Sequence, residues 1–160
     1  MMEVIKWAAA ECERQHSGEM SVAWMVAGYE YAVGMSAPWR RDDFPSAKTI
    51  QILASKVEPR TNKLSAERPD NFRKVDVIVG DRLAATPSWQ EVPRIMDALI
   101  DAWNDLSADD WYRAFQEIHP FADGNGRVGA ILWNTHRGTL DADKLEVPPD
   151  FWNHDRLETA

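Results

Sequence analysis

Near the N-terminus the apolar residues Val4, Ile5, Ala8, Ala9 and Cys12 recur every three or four positions, so 2–16 is predicted to form one amphipathic helix, ended by Ser17-Gly18. Val22, Met25, Val26, Tyr29 and Ala32 make a second stripe, with Ser21 as the expected cap and an end near residue 33. A loop with two prolines and the charged run WRRDD spans 35–46, and Ser46 then caps a third helix over 47–57. After a polar connection, 58–71, the pattern changes. Val75, Val77 and Val79 alternate with Lys74, Asp76 and Ile78, a strand-like period rich in β-branched residues. A lone strand is unstable, so a short β-hairpin with a partner nearby is expected.

The helical period then returns. Over 89–106, Val92, Ile95, Met96, Leu99, Ile100 and Trp103 define a core face, with Ser88 as cap and Pro93 in the first turn. Ser107, with Asp110 three residues on, opens a further helix that must stop at His119, because Pro120 disfavours helical backbone before it. A last helix starts near Asn125, carries Val128, Ile131, Leu132 and His136 on one face, and ends at Gly138. The tail, 139–160, is polar and is expected to pack through Leu145 and Phe151 and then fray. The fold class is therefore mainly α, in one domain over 1–160 with its core at about 21–138.

Composition narrows the partners. A net charge of −8 argues against nucleic acid and anionic membrane, because no basic surplus exists to neutralise phosphates broadly. No signal peptide or membrane span is predicted, and the single cysteine, Cys12, forms no internal disulfide, so a reducing cytoplasm is expected. Cys12 lies on the apolar face of the first helix and reads as a core residue. His16, His136 and His154 lack ligand spacing for zinc. The eight tryptophans read as core anchors.

The candidate chemistry is concentrated in HPFADGNGR, from His119 to Arg127. Backbone N–H groups at a helix start have no intrahelical partner, and Gly124, Asn125 and Gly126 let them converge on an anion such as phosphate. Arg127 adds a forked cation, and Asn125 adds a side-chain amide. Asp123 would repel phosphate unless a Mg²⁺ ion lay between them. His119 titrates near neutrality and can take a proton from a hydroxyl. Together these residues suggest attack of a hydroxyl on a nucleotide phosphate.

The same nine residues resemble the signature of the Fic-domain family, HPFx[D/E]GN[G/K]R, at every position, and about 47–138 fits the family pattern. The resemblance implies a compact Fic-type helical fold with a short β-hairpin flap over the active site. It implies a protein adenylyltransferase that moves AMP from ATP to a Ser, Thr or Tyr hydroxyl of a target protein, releasing pyrophosphate. In that reading His119 is the general base, Asp123 holds Mg²⁺, and Gly124, Asn125, Gly126 and Arg127 bind the phosphates. Phe121 anchors the loop, and the flap, with Phe72, Arg73, Lys74, Val75 and Val77, pairs with a target segment by strand addition.

One departure stands out. Many members carry a second arginine three residues after the first, and here that position is Ala130. Arg137, Arg113 or Lys74 could substitute, or the chain could be a weakened nucleotide-binding module. Transfer of a different phosphate-containing group is a further alternative, although such relatives usually carry lysine where Gly126 stands. The family's inhibitory [S/T]xxxE[G/N] segment is absent, which leaves open a separate antitoxin-like inhibitory partner, another mechanism or none.

Overall fold

The computed structural model describes residues 1–37, 44–79 and 86–151. Six α-helices are formed among them: α1 (Met2–Arg14), α2 (Met20–Met35), α3 (Ala47–Val57), α4 (Val92–Asp101), α5 (Ala108–Ile118) and α6 (Asn125–Arg137). The run 38–43, most of the expected WRRDD loop, lies outside the described residues, as does 152–160, where the tail was expected to fray.

Helix α6 is the central element. Every residue from Arg127 to Asn134 is buried, and Val128, Ala130, Ile131 and Leu132 are wholly inaccessible. A helix buried all round must be covered on several sides; α5, α2, α3 and α1 all pack against it. Trp111 of α5 anchors one side, inaccessible to solvent, edge-on to Trp103 at 4.8 Å and stacked on Phe115 at 5.6 Å, with its indole N–H donating to the Leu99 carbonyl at 2.8 Å. The tail is strapped down at Glu146, whose carbonyl accepts from Trp7 and Asn134 and whose N–H donates to Asn134 Oδ1. Leu145 packs on the core, and Phe151 lies against Tyr112.

Local signals set most helix ends. Ser46 caps α3 in a reciprocal capping box with Thr49, Ser107 accepts from the Asp110 N–H at 3.1 Å, and Gly138 ends α6 in left-handed backbone. Ser46→Ala is expected to cost about 1 kcal/mol in chemical denaturation.

Three expectations are corrected. Ser21 does not cap α2; Glu19 is at the N-cap position, the helix starts at Met20, and Ser21 is buried inside its first turn. Ser88 makes no side-chain cap bond, because a 3₁₀ turn, Trp89–Glu91, precedes α4. The β-hairpin is not formed among the described residues. Over 72–79 only Ile78 makes an isolated bridge. Lys74, Val75 and Asp76 are all exposed, so the valines do not alternate inward there, and before them Phe72 and Arg73 are both buried, with the Arg73 N–H bonded to the Pro120 carbonyl at 2.9 Å rather than to a neighbouring strand. The run 80–85, where a second arm would lie, is outside the described residues.

Candidate active site

The motif forms a tight loop between α5 and α6. His119 ends α5 with left-handed backbone, φ 52°, as Pro120 requires the helix to stop. Gly124 begins α6 with φ 84°, a conformation few residues other than glycine adopt at low cost. Asn125, 2% exposed, closes the loop: its Oδ1 accepts from the Phe121 N–H and its Nδ2 donates to the Phe121 carbonyl, both at 2.9 Å. Phe121 is inaccessible and packs on Phe72 at 5.5 Å, which ties the loop to the core.

That closure corrects one reading. The Asn125 side-chain amide is engaged inside the loop and is not offered to an anion. The Gly124 N–H is likewise taken, by Asp123 Oδ1 at 2.8 Å. No side chain caps α6, and its first backbone bond runs from the Val128 N–H to the Gly124 carbonyl. The N–H groups of Asn125, Gly126 and Arg127 therefore form the open amide face, at the positive end of the helix.

A cavity of about 110 Å³ lies on this face, lined by His119, residues 122–127, and Gln15 and Ser17 from the end of α1. Its size suits a phosphate group; a whole nucleotide would extend beyond it. A larger groove of about 800 Å³ runs past Ser36, Phe44, Trp103 and Thr135, but contains none of the motif residues. The Gln15 carboxamide rests on Gly126, where a Cβ would come within 2.1 Å of its Oε1, and its Nε2 donates to the buried Glu11 at 3.1 Å.

His119 is half-buried, and its Nδ1 is fully buried with no hydrogen-bond partner. Burial depresses its pKa, and the Arg73 guanidinium adds to the effect; the Gln116 backbone and the Asp123 carboxylate oppose it without reversing it. The ring is therefore neutral near pH 7, the state a proton acceptor needs. With Nδ1 sealed inside, facing the Gln116 backbone, only Nε2 of the ring could meet a group bound in the cavity.

Arg73, assigned from sequence to the flap, is instead the clamp beneath the histidine. Its guanidinium is inaccessible and donates to the carbonyls of His119 (2.7 Å), Val75 (2.8 Å), Pro87 (2.6 Å) and Ile118 (3.2 Å). Neither its side chain nor that of Phe72 can reach a target. Of the flap residues, Lys74 and Val75 are exposed and Val77 is half-buried.

Arg127 is 3% exposed. Its Nη2 pairs with the inaccessible Glu58 at 3.3 Å and approaches the half-exposed Asp123 at 3.6 Å, and its Nη1 donates to the Val57 carbonyl at 3.3 Å. Glu58 is held ionised mainly by its hydrogen bonds to Arg60, with Arg127 adding to the effect. Asn62 ties the loop to α3, donating to the Asp123 carbonyl at 2.9 Å. Gln15, Glu58, Asn62 and Gln116, which donates to the Asn125 carbonyl, belong to the site without any sequence signal; Glu58 meets Arg127 across 69 residues and Asn62 meets Asp123 across 61. The substitutes considered for Ala130 are engaged elsewhere: Arg137 with Glu146 and Trp133, Arg113 over Phe151, and Lys74 with Asp70.

The family model for the Fic/DOC family matches residues 46–136, more than half of the chain and the whole of this loop. The chain belongs to the Fic/DOC family. It is similar to a "Probable protein adenylyltransferase" of Aquifex aeolicus, 34% identical over 41% of this chain and 23% of that protein. It is also similar to a Fido domain-containing protein of Dictyostelium discoideum, 36% identical over 39% of this chain and 50% of that protein. Both matches cover half or less of the relatives' own length. Helix α1, whose end walls the cavity, lies outside the family match. No helix among the described residues is long and apolar enough to cross a membrane.

Proposed function

We propose that this Fic/DOC chain is a protein adenylyltransferase, moving AMP from ATP to a Ser, Thr or Tyr hydroxyl of a target protein. The observation that carries this reading is the neutral, half-buried His119 ring lining one cavity with the first residues of α6; with Nδ1 buried, Nε2 is the nitrogen that would take the proton. In the reaction the target hydroxyl oxygen bonds to the α-phosphorus of ATP. The bond from that phosphorus to the oxygen bridging to the β-phosphate breaks, and pyrophosphate leaves. His119 takes the hydroxyl proton, and the amides of Asn125, Gly126 and Arg127 stabilise charge on the phosphate oxygens.

Asp123 fits a Mg²⁺ ion shared with substrate. Its carboxylate is 56% exposed, and its hydrogen bond to the Gly124 N–H and its ion pair with Arg127 both use Oδ1. A Mg²⁺ ion takes one or two carboxylates plus phosphate oxygens and water, so Asp123 alone could supply the protein's share. Bound there, the ion would neutralise charge between Asp123 and the phosphates. Lys74, Val75 and Val77 remain the candidates for target contact, and a separate inhibitory protein remains a candidate partner.

Incubation with α-labelled ATP and Mg²⁺, alone and with lysate, tests the reading. Label is expected on protein, and Asp123→Ala should lose the Mg²⁺-dependent part of ATP binding. A parent chain that binds ATP but labels nothing would instead make it a binding module, a reading favoured by the uncharged, buried Ala130.

A further inference from the structure

The charges around the amide face do not suit a polyphosphate if the motif is taken alone. Arg127 is neutralised by the buried Glu58, Asp123 adds a negative charge, and position 130 is a buried alanine. These formal charges sum to −1, although the ligand would be strongly anionic. Arg60 brings that sum to zero and adds an exposed cation. Its Nε and Nη2 donate to the two oxygens of Glu58 at 2.8 and 2.9 Å, and its guanidinium lies 4.7 Å above the Trp24 ring. Its side chain is 64% exposed, against 4% for Arg127, and the Asp123 charge acts on it.

Glu58 thus bridges two arginines, an inner one locked in the protein and an outer one facing solvent. The Glu58 pairing engages one edge of the outer guanidinium and leaves Nη1 with both of its donors. Stacking on Trp24 and the bidentate pair fix its orientation in advance, which lowers the entropy lost on binding. The bridge also explains why a fully buried carboxylate is tolerated behind an anion site: it organises two cations.

We propose that Arg60 is a substrate-binding residue that recognises the outer phosphates of a nucleoside triphosphate whose α-phosphate lies on the α6 amides. The proposal rests on the nucleotide reading above and names the cation that reading lacks. It predicts discrimination by phosphate number: Arg60 contributes to binding of ATP and of inorganic tripolyphosphate, but little to binding of AMP.

Calorimetric titration of the parent chain, Arg60→Ala and Arg60→Lys with ATP, AMP and tripolyphosphate tests this, with thermal melting run alongside. Arg60→Ala is expected to weaken ATP and tripolyphosphate about tenfold, the usual effect of one charge-assisted contact, and to leave AMP within about twofold; it should also lower the melting temperature, because the inaccessible Glu58 loses its two short hydrogen bonds, so binding is measured well below that temperature. Arg60→Lys should recover part of the loss, since charge is kept and the fork is not. Equal ATP and tripolyphosphate affinity in parent and Arg60→Ala would overturn the proposal and leave the nucleotide reading intact. Equal weakening of AMP would overturn the outer-phosphate placement. A parent chain that binds neither ATP nor tripolyphosphate would overturn both.

Discussion

His119→Asn is expected to lower AMP transfer by about 10²- to 10⁴-fold while leaving ATP affinity nearly unchanged, the usual cost of losing a general base. Asparagine is the better test variant because His119 has left-handed backbone, φ 52°, which asparagine tolerates and alanine does not. His119→Ala should lose as much transfer but also some stability. Single-turnover labelling separates the chemical step from binding; a variant that transfers as fast as the parent would remove His119 from the mechanism.

The pH dependence follows from the depressed pKa of the ring. An ordinary histidine would protonate as pH falls through about 6.5. Here the folded-state value is lower, so the acid limb of the transfer rate should lie below that point. Stability has the same sign. As pH falls below about 6.5 the unfolded chain gains a proton before the native chain does, so native stability declines until pH passes the lowered folded value. His119→Asn should remove that part of the slope in denaturation at graded pH.

Arg73→Ala is expected to give the largest loss of stability, roughly 3 kcal/mol or more, because it leaves several carbonyls inside the protein without a donor. Arg73 donates to those of His119, Ile118 and Pro87, and also to that of the exposed Val75. A urea titration should show a lower midpoint with an unchanged slope, as expected when stability alone changes. Transfer should also fall in the folded fraction, since the guanidinium positions the His119 backbone and helps to keep its ring neutral. A midpoint matching the parent's would show that water or neighbouring groups replace the clamp.

These two residues mark the boundary of what the sequence can show. His119 is legible because helix stop, proline and glycine-rich loop are neighbours in the chain. So are the caps at Ser46 and Ser107, where donor and acceptor lie three residues apart. Arg73 was misread because alternation of valines and charges is a local pattern, whereas its true partners are carbonyls 45 and 46 residues away. Glu58 meets Arg127 across 69 residues, and no periodicity encodes such a pair. The Asn125 side chain, read as a donor to an anion, closes the loop instead. An amide suits a phosphate as well as a backbone, and only geometry shows that both of its ends are engaged by Phe121. Charge reasoning from sequence also treated Arg127 as free, whereas the fold cancels it and brings Arg60 alongside.

The most direct measurement is a crystal structure with Mg²⁺ and an ATP analogue that cannot release pyrophosphate. The α-phosphate should rest on the amides of Asn125, Gly126 and Arg127, with the His119 ring beside it and the outer phosphates toward Arg60. A triphosphate bound away from those amides, with Gln15 still resting on Gly126 and the cavity otherwise unchanged, would contradict it.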